Sequence, residues 1–209
     1  MLILVLDSCG SSCGVGVFKD GRLLTCLQER MERGQDASLM PMVEAVMKKA
    51  GVAYADIDKV AVTRGPGSFT GVRVGLAAAR GIGFASEKPV IGIDRFSIYK
   101  SLHAAPNKNL LVVIESKRAE LFCKFYPTQG AALDASMMTE KEIRDFIAAH
   151  PNAEIAGDIA TPNDDILSAC ASLAASADAE NPDTLPRPLY LRAPDVTFAD
   201  KTACGEEHV

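Results

Sequence analysis

Residues 59–75, KVAVTRGPGSFTGVRVG, join an apolar strand pattern to a helix pattern through a loop rich in glycine. A strand is predicted at Lys59–Thr63, a helix at Phe69–Ser86 and another strand at Val90–Ile93. Such a unit brings two parallel strands together, because the helix carries the chain back to the starting edge of the sheet. The sequence therefore predicts an α/β fold.

The loop has the position of a phosphate-binding loop but not its spacing. It lies between a strand and a helix N-terminus, where backbone amides can converge on an anion. However, no lysine occurs between Lys59 and Lys88, and the residue three after Gly67 is Thr70, so neither common phosphate-loop motif is met. A structural turn is favoured over a phosphate site. The predicted loop and helix start comprise Arg64, Gly65, Pro66, Gly67, Ser68, Phe69, Thr70 and Arg73.

The predicted helix carries small residues at every fourth position. Gly71, Gly75, Ala79 and Gly83 form a ridge of nearly bare backbone. Each glycine costs the helix roughly 0.8–1 kcal/mol relative to alanine, so a compensating close contact is expected. That contact is either a neighbouring part of the same fold or a partner protein.

Towards the N-terminus the pattern is a β-meander followed by a helix. Leu2–Leu6 and Gly14–Phe18 read as strands, and Asp20-Gly21 is a hairpin signal before a third strand. The antiparallel meander makes the predicted sheet mixed. An amphipathic stripe then predicts a helix over 39–50, capped by Ser38 or Asp36.

Towards the C-terminus the opening plan recurs. Leu110–Ile114 ends at Glu115 much as Leu2–Leu6 ends at Asp7, and a second strand pattern follows at Leu121–Tyr126, which suggests an internal duplication. Thr139 and Glu142 form a capping box for a helix to about residue 149. A further helix is predicted over 165–177, then an extended connector over 181–188.

Composition limits the function classes. The formal net charge is −5, and the 22 basic residues are scattered along the sequence, which argues against a free-standing nucleic-acid binder. The first residues have no basic region and too short an apolar run for a signal peptide, so a cytoplasmic protein without membrane association is expected. The six cysteines include no C-x-x-C pair and are expected to be reduced thiols.

No catalytic constellation is apparent in the sequence. His103, His150 and His208 are isolated, and neither H-E-x-x-H nor G-x-S-x-G occurs. Asp7 and Ser8, at the end of the first strand, are the remaining candidate for a nucleotide and magnesium contact. A turn-forming acid is the simpler explanation of Asp7.

Several motifs in order carry a resemblance to a known family. RGPGSFTGVRVG at 64–75, LVLDSCGSSCGVGVF at 4–18, LMPMVEAVMKKAG at 39–51, IESKRAELF at 114–122 and PLYLR at 188–192 resemble the TsaB (YeaZ) family, related to Kae1/TsaD. The resemblance implies an actin-like ASKHA (RNase H-like) α/β fold of two related subdomains with mixed sheets flanked by helices. The implied divisions are an N-terminal subdomain at 1–108, a smaller one at 109–188, and a tail at 189–209 that returns to the first.

The resemblance also implies a role and partners. Members look like non-catalytic scaffold subunits that pair with TsaD and, with TsaE, support formation of N6-threonylcarbamoyladenosine at position 37 of ANN-decoding tRNAs. No cofactor is expected on this chain; ATP, magnesium and the catalytic metal are expected on partner subunits, and tRNA contact only through the complex. A homodimer of the isolated chain stays open. The implied partner surface comprises Leu39, Val43, Val46, Gly71, Val72, Gly75, Ala79 and Gly83.

Two departures from the family pattern stand out. Gln35 occupies a position where relatives often have histidine, and Glu115 one where many have aspartate. The leading hypothesis is a scaffold or activating subunit. The alternatives are an actin-like ATP-dependent kinase or ATPase using Asp7 and the Gly65–Gly67 loop, and a metal-dependent M22-type protease.

Overall fold

The computed structural model describes residues 1–161 and 165–191. The predictions for Cys204, His208 and the tail from residue 192 onward fall outside this part. No helix within the described ranges combines the length and apolar character needed to cross a bilayer. The strands are β1 (Leu2–Asp7), β2 (Ser12–Lys19), β3 (Arg22–Arg30), β4 (Lys59–Thr63), β5 (Val90–Ile93), β6 (Asn109–Ile114), β7 (Glu120–Tyr126), β8 (Ser136–Thr139) and β9 (Ala153–Ala156). The α-helices are α1 (Gln35–Ala50), α2 (Phe69–Ser86), α3 (Arg95–His103), α4 (Glu140–Ala149) and α5 (Ile166–Ser176).

Two mixed sheets follow one plan. The first has the order β3-β2-β1-β4-β5, in which β1, β2 and β3 are antiparallel neighbours and β4 and β5 run parallel to β1. The second has the order β8-β7-β6-β9, with β7 antiparallel and β9 parallel to β6. The second sheet therefore repeats the first without its last strand. This is the actin-like α/β architecture of two related halves.

Each face of the first sheet has its own core. On one face α1 and α2 pack through Leu39, Val43 and Leu76. On the other face α5 packs through Leu167 and Cys170, and this core continues into the second sheet. Although α5 belongs to the C-terminal half of the sequence, it therefore covers the first sheet.

The N-terminal ends of two helices can be compared with the caps that the sequence predicts. α4 begins with the predicted capping box, in which Thr139 Oγ1 accepts from the Glu142 amide and Glu142 accepts from the Thr139 amide. α1 begins at Gln35, four residues earlier than predicted, after Gly34 with φ +94°. The predicted caps Asp36 and Ser38 are therefore wrong, because both lie within the first turn. The apolar stripe that predicted the helix begins at Leu39 and does not extend into this first turn, because most residues of the turn face solvent.

Residues 185–191, hereafter the strap, cross back over the first half. The Leu189 amide donates to the Arg64 carbonyl at 2.9 Å. Arg80 donates to the Pro186 carbonyl, and Arg73 Nε donates to the Tyr190 hydroxyl at 3.0 Å. The strap thereby lies along α2 and the glycine-rich loop.

Candidate functional site

The glycine-rich loop is a turn held by its own chain. The Gly65-Pro66 peptide is cis, and Gly65 and Gly67 have φ of +100° and +156°. The Ser68 amide donates to the Cys9 carbonyl at 2.7 Å, and the Arg64 amide donates to Ile93 at 2.9 Å. Ser68 Oγ accepts from the Gly71 amide and caps α2. Two of the loop's amides are thus used inside the fold, and Pro66 has none to offer.

The ridge of small residues lies against the turn that follows β1. A Cβ atom on Gly71 would stand 1.9 Å from the Ser8 carbonyl oxygen, and one on Gly75 would stand 2.6 Å from Ser8 Oγ. A Cβ on Gly83 would stand 2.3 Å from Val90 Cγ2. The ridge therefore allows α2 to lie close to β1 and β5 of the same chain.

This packing corrects the residues assigned to a partner surface. All eight are buried in the chain's own core, so none of them lies on the surface of the isolated chain. The eight buried residues are Leu39, Val43, Val46, Gly71, Val72, Gly75, Ala79 and Gly83. The physical reason is that the close contact implied by the glycines is intramolecular.

Asp7 and Ser8 are likewise internal. Asp7 is 2% exposed, and its Oδ1 accepts from Thr63 Oγ1 at 2.6 Å and from the Cys9 amide at 3.2 Å. Ser8 is fully buried and donates to the Gly71 carbonyl at 2.8 Å. The sequence-based assignment of these two residues to a nucleotide is therefore corrected to an internal network that joins β1, β4 and α2.

The outer side of α2 offers a different surface. Met40, Tyr54 and Ile82 border a groove of about 420 Å³ between α1 and α2, together with Ala78, Gly81, Ala85 and Ser86. A Cβ on Gly81 would meet nothing within 4 Å, so this glycine faces open space. Phe84 is 89% exposed but lines a separate depression with Arg80, Gly83 and Lys88. The residues that border the groove between α1 and α2 are hereafter called the outer groove.

A second cavity, of about 440 Å³, lies between the two halves. One wall is the glycine-rich loop and the start of α2, from Gly67 to Val72. The facing wall is the β6–β7 turn with Ser116, Lys117 and Arg118, and the strap closes one end. This cavity is hereafter called the cleft.

A buried ion pair fastens the two halves beside the cleft. Arg95 at the start of α3 is 3% exposed and binds the Asp158 carboxylate through both terminal nitrogens. Tyr99 donates to the same carboxylate at 2.6 Å, and the Glu115 amide donates to it at 3.0 Å. Burial alone would raise the pKa of Asp158, but the Arg95 charge and these hydrogen bonds outweigh it and hold the pKa below its usual value.

The sequence did not reveal these elements of the site. Arg95 and Asp158 are 63 residues apart and match no motif. Only the Asp94 cap, which accepts from the Ser97 amide at 2.9 Å, could have indicated α3. Within residues 1–161 and 165–191, no group of three or more His, Cys, Asp or Glu side chains is arranged to hold a metal ion.

Comparison with known proteins gives consistent results. Residues 29–147, more than half of the chain, match the family model for TsaD, tRNA N6-adenosine threonylcarbamoyltransferase. The tRNA threonylcarbamoyladenosine biosynthesis protein TsaB of Escherichia coli K12 is 28% identical over 77% of this chain and 70% of its own length. A tRNA N6-adenosine threonylcarbamoyltransferase of Erythrobacter litoralis is 52% identical, but over 30% of this chain and 18% of its own length. The YeaZ structure from Pseudomonas aeruginosa superposes with a TM-score of 0.67 at 22% identity, covering 91% of this chain and 99% of that one.

Proposed function

This chain belongs to the TsaD family, in its TsaB (YeaZ) branch, and from that membership we propose that it is a scaffold subunit rather than the catalyst. Its partner in this proposal is a TsaD homologue, joined by a TsaE homologue. The complex forms N6-threonylcarbamoyladenosine at position 37 of ANN-decoding tRNAs in the cytoplasm. ATP, magnesium and the catalytic metal belong to the partner subunits.

The observation that carries the proposal is the outer groove. Met40 and Tyr54, which border it, are 39% and 38% exposed, and exposed apolar patches and grooves often mark sites of protein–protein contact. Ala78, Gly81 and Ala85 fall within an arc of roughly 60° on α2 at 3.6 residues per turn. Because their side chains are small, a second helix can approach α2 closely there. The partner surface is therefore proposed on this face and not on the buried ridge.

The internal position of Asp7 weighs against the kinase or ATPase alternative, which used Asp7 together with the Gly65–Gly67 loop. Oδ1 of Asp7 accepts from Thr63 Oγ1 and from the Cys9 amide, and the residue is 2% exposed. Isothermal titration calorimetry with ATP and magnesium provides the check. Binding at micromolar concentration by the isolated chain would reinstate the kinase or ATPase hypothesis.

The main test mixes the chain with the TsaD homologue of the same organism and measures the complex by size-exclusion chromatography with light scattering. Gly81→Glu places a charge on the outer groove at a position where an added Cβ meets no atom within 4 Å. We expect the wild type to form a heterodimer and Gly81→Glu to lose it while remaining folded by circular dichroism. Loss of the complex should also abolish tRNA modification by the reconstituted system.

Ala148→Glu is the matched control, because Ala148 is an exposed residue on α4, remote in sequence and on the other sheet. It should leave the complex intact. If Gly81→Glu binds the partner as well as the wild type does, the outer groove is not the partner surface. If the isolated chain modifies tRNA, the scaffold role itself is refuted. Light scattering of the chain alone, as wild type and as Gly81→Glu, reports whether a homodimer forms and whether it depends on the same groove.

A further inference from the structure

The strap gathers arginines that are scattered in the sequence. Residues 60–86 and 184–191 contain Arg64, Arg73, Arg80 and Arg187, and neither stretch contains an aspartate or a glutamate. The contacts of the strap with Arg73 and Arg80 place these stretches side by side. A protein of net charge −5 therefore has one region where several cations lie together without acids in the same segments.

The exposed arginines of this region keep hydrogen-bond donors available. A guanidinium has five N–H donors. Arg73 uses Nε for Tyr190, and Arg80 uses one terminal nitrogen for Pro186. Arg73 and Arg80 are seven residues apart, so they stand on one side of α2 about 10 Å apart along its axis. Neither forms an ion pair with a carboxylate among the described residues.

A buried cation lies beneath the strap. Arg64 is 8% exposed, and its Nε has no hydrogen-bond partner in the described part of the chain. Its Cδ passes 3.1 Å from the position of a Cβ on Gly92, the same position that Leu185 and Pro186 approach. A buried donor without a partner is costly, and an anion bound on the surface above would offset part of that cost.

Aromatic rings adjoin the arginines. Phe69 and Tyr190 are 41% and 40% exposed, and their ring centroids lie 5.2 Å apart. The Arg73 guanidinium lies over the Phe69 ring at 3.7 Å from its centroid. Both rings line the cleft, whose opposite wall carries Lys117. The cleft therefore offers ring faces with positive charge on both sides.

We propose that this arginine–aromatic surface, formed by Phe69, Arg73, Arg80, Arg187 and Tyr190, binds a single-stranded loop of RNA directly. The arginines contact phosphates, and an unstacked base packs against Phe69 or Tyr190 at the cleft. Cations beside exposed rings are the usual means by which proteins hold unpaired nucleotides. The inference rests on the proposed function, which supplies a tRNA, and it adds a direct contact to the indirect one expected from the sequence.

The surface is separate from the outer groove. On α2, Arg73 and Arg80 are roughly 140–160° from Ala78 around the helix axis. One helix can therefore face a protein partner with one side and RNA with the other. An acidic protein segment is the competing ligand for the arginines. RNA is favoured because the exposed rings and the cleft add a site for a base, which an acidic segment does not require.

The test measures fluorescence anisotropy of a labelled tRNA anticodon stem-loop with the full chain and with its complex with the TsaD homologue. The variants are Arg73→Gln with Arg80→Gln, Arg187→Gln, and Tyr190→Leu. Lys141→Gln with Arg144→Gln on α4 is the charge-matched control, since both side chains are exposed. Circular dichroism checks that each variant is folded.

We expect roughly tenfold weaker binding for the arginine pair and a slope of log Kd against log salt lower by about 1.4, because each single-strand phosphate contact contributes about 0.7. Tyr190→Leu should weaken binding without changing the slope. The Arg187 side chain makes no hydrogen bond or ion pair within the described part of the chain. Weaker RNA binding by Arg187→Gln would therefore reflect the lost charge and not a disturbed fold. The α4 control should match the wild type.

Unchanged affinity and slope in the arginine variants would overturn the inference, as would an equal loss in the α4 control. If the arginine pair instead loses the TsaD homologue on size-exclusion chromatography while RNA binding persists, the surface binds protein and the RNA inference fails. The proposed function is tested separately through Gly81→Glu. The complex can therefore form as proposed even if this RNA contact is refuted.

Discussion

Two glycines on the same helix should respond in opposite directions when each is replaced by alanine. Gly81→Ala adds a methyl group where nothing lies within 4 Å. Gly71→Ala adds one 1.9 Å from the Ser8 carbonyl oxygen and 3.0 Å from its carbonyl carbon. Alanine improves helix propensity in the interior of α2 at position 81, and its gain is no larger in the first turn at position 71. The difference between the two variants therefore reports mainly the packing of α2 against the turn after β1.

The magnitudes follow from these distances. At Gly81 the propensity gain of about 0.8–1.0 kcal/mol is unopposed. For a chain of this length, about 1 kcal/mol raises the melting temperature by about 2–4 °C. At Gly71, α2 or the turn must move by more than 1 Å to relieve contact with backbone atoms, and such overpacking costs about 1–3 kcal/mol or more. Because the atoms approached belong to the backbone, we take the upper end, about 3 kcal/mol, which less a propensity gain of about 1 kcal/mol leaves a net loss of about 2 kcal/mol, or about 4–8 °C.

Thermal and urea unfolding of the isolated chain, followed by circular dichroism, measure both effects. The scans are run at two protein concentrations, because any self-association through the outer groove would make the Gly81→Ala result depend on concentration. Equal stabilities for the two variants, or a Gly71→Ala protein as stable as the wild type, would refute the close packing of the ridge inside the fold.

Three further outcomes are expected. Asp158→Ala should lower the free energy of unfolding by about 3–5 kcal/mol, because it leaves buried Arg95 without its carboxylate partner. Folding lowers the pKa of Asp158. The stabilisation by its carboxylate is therefore present above about pH 4 and is lost as the pH falls through the folded-state pKa. Urea unfolding at pH 7 and pH 3 should therefore show a smaller gap between wild type and variant in acid, and a constant gap would contradict the assignment. Lys59 Nζ donates to the carbonyls of Ala174, Ala175 and Ala177 at the end of α5, at 3.1, 3.2 and 2.8 Å, and so caps this helix. Lys59→Met should therefore lower the free energy of unfolding by about 1–2 kcal/mol. A loss no larger than that of Lys141→Met would exclude a stabilising role of this cap. In a Cys204→Ser background, Cys26 should react with a thiol reagent before Cys9 and Cys123. The reason is that burial raises the pKa of Cys9 and of Cys123 to about 12. Mass spectrometry of the labelled peptides identifies the order of reaction.

The sequence predicted those elements whose signals are local. β4, α2 and β5 have the predicted bounds, since the two strand patterns, the glycine-rich loop and the helix pattern all lie within 35 residues. The capping box of α4 is confirmed for the same reason. α3 was missed because its pattern, RFSIYKSLH, alternates charged and apolar residues without a clear face. β8, at Ser136–Thr139, is too short to show a period.

The functional surfaces could not be predicted in the same way. A glycine ridge predicts a close contact but not the group that makes it. Here that group is Ser8, which is 63 residues from Gly71 in the sequence. The same limit applies to the arginines of the strap. Arg80 and Pro186 are 106 residues apart, and nothing in either segment indicates the other. The outer groove could be located only after the structure had established which side of α2 is buried.

The position of α5 affects how the protein is made. The strands of the first sheet are complete at Ile93, yet the face that carries Ile3, Val5 and Ile91 is closed by Leu167, Cys170 and Ala174. At about 5–20 residues per second, synthesis leaves that face uncovered for several seconds. A fragment ending near residue 108 should expose it permanently and aggregate. The first half of this chain therefore depends on a helix that is synthesised after the strands of the second sheet, and the first sheet is fully covered only once α5 has been made.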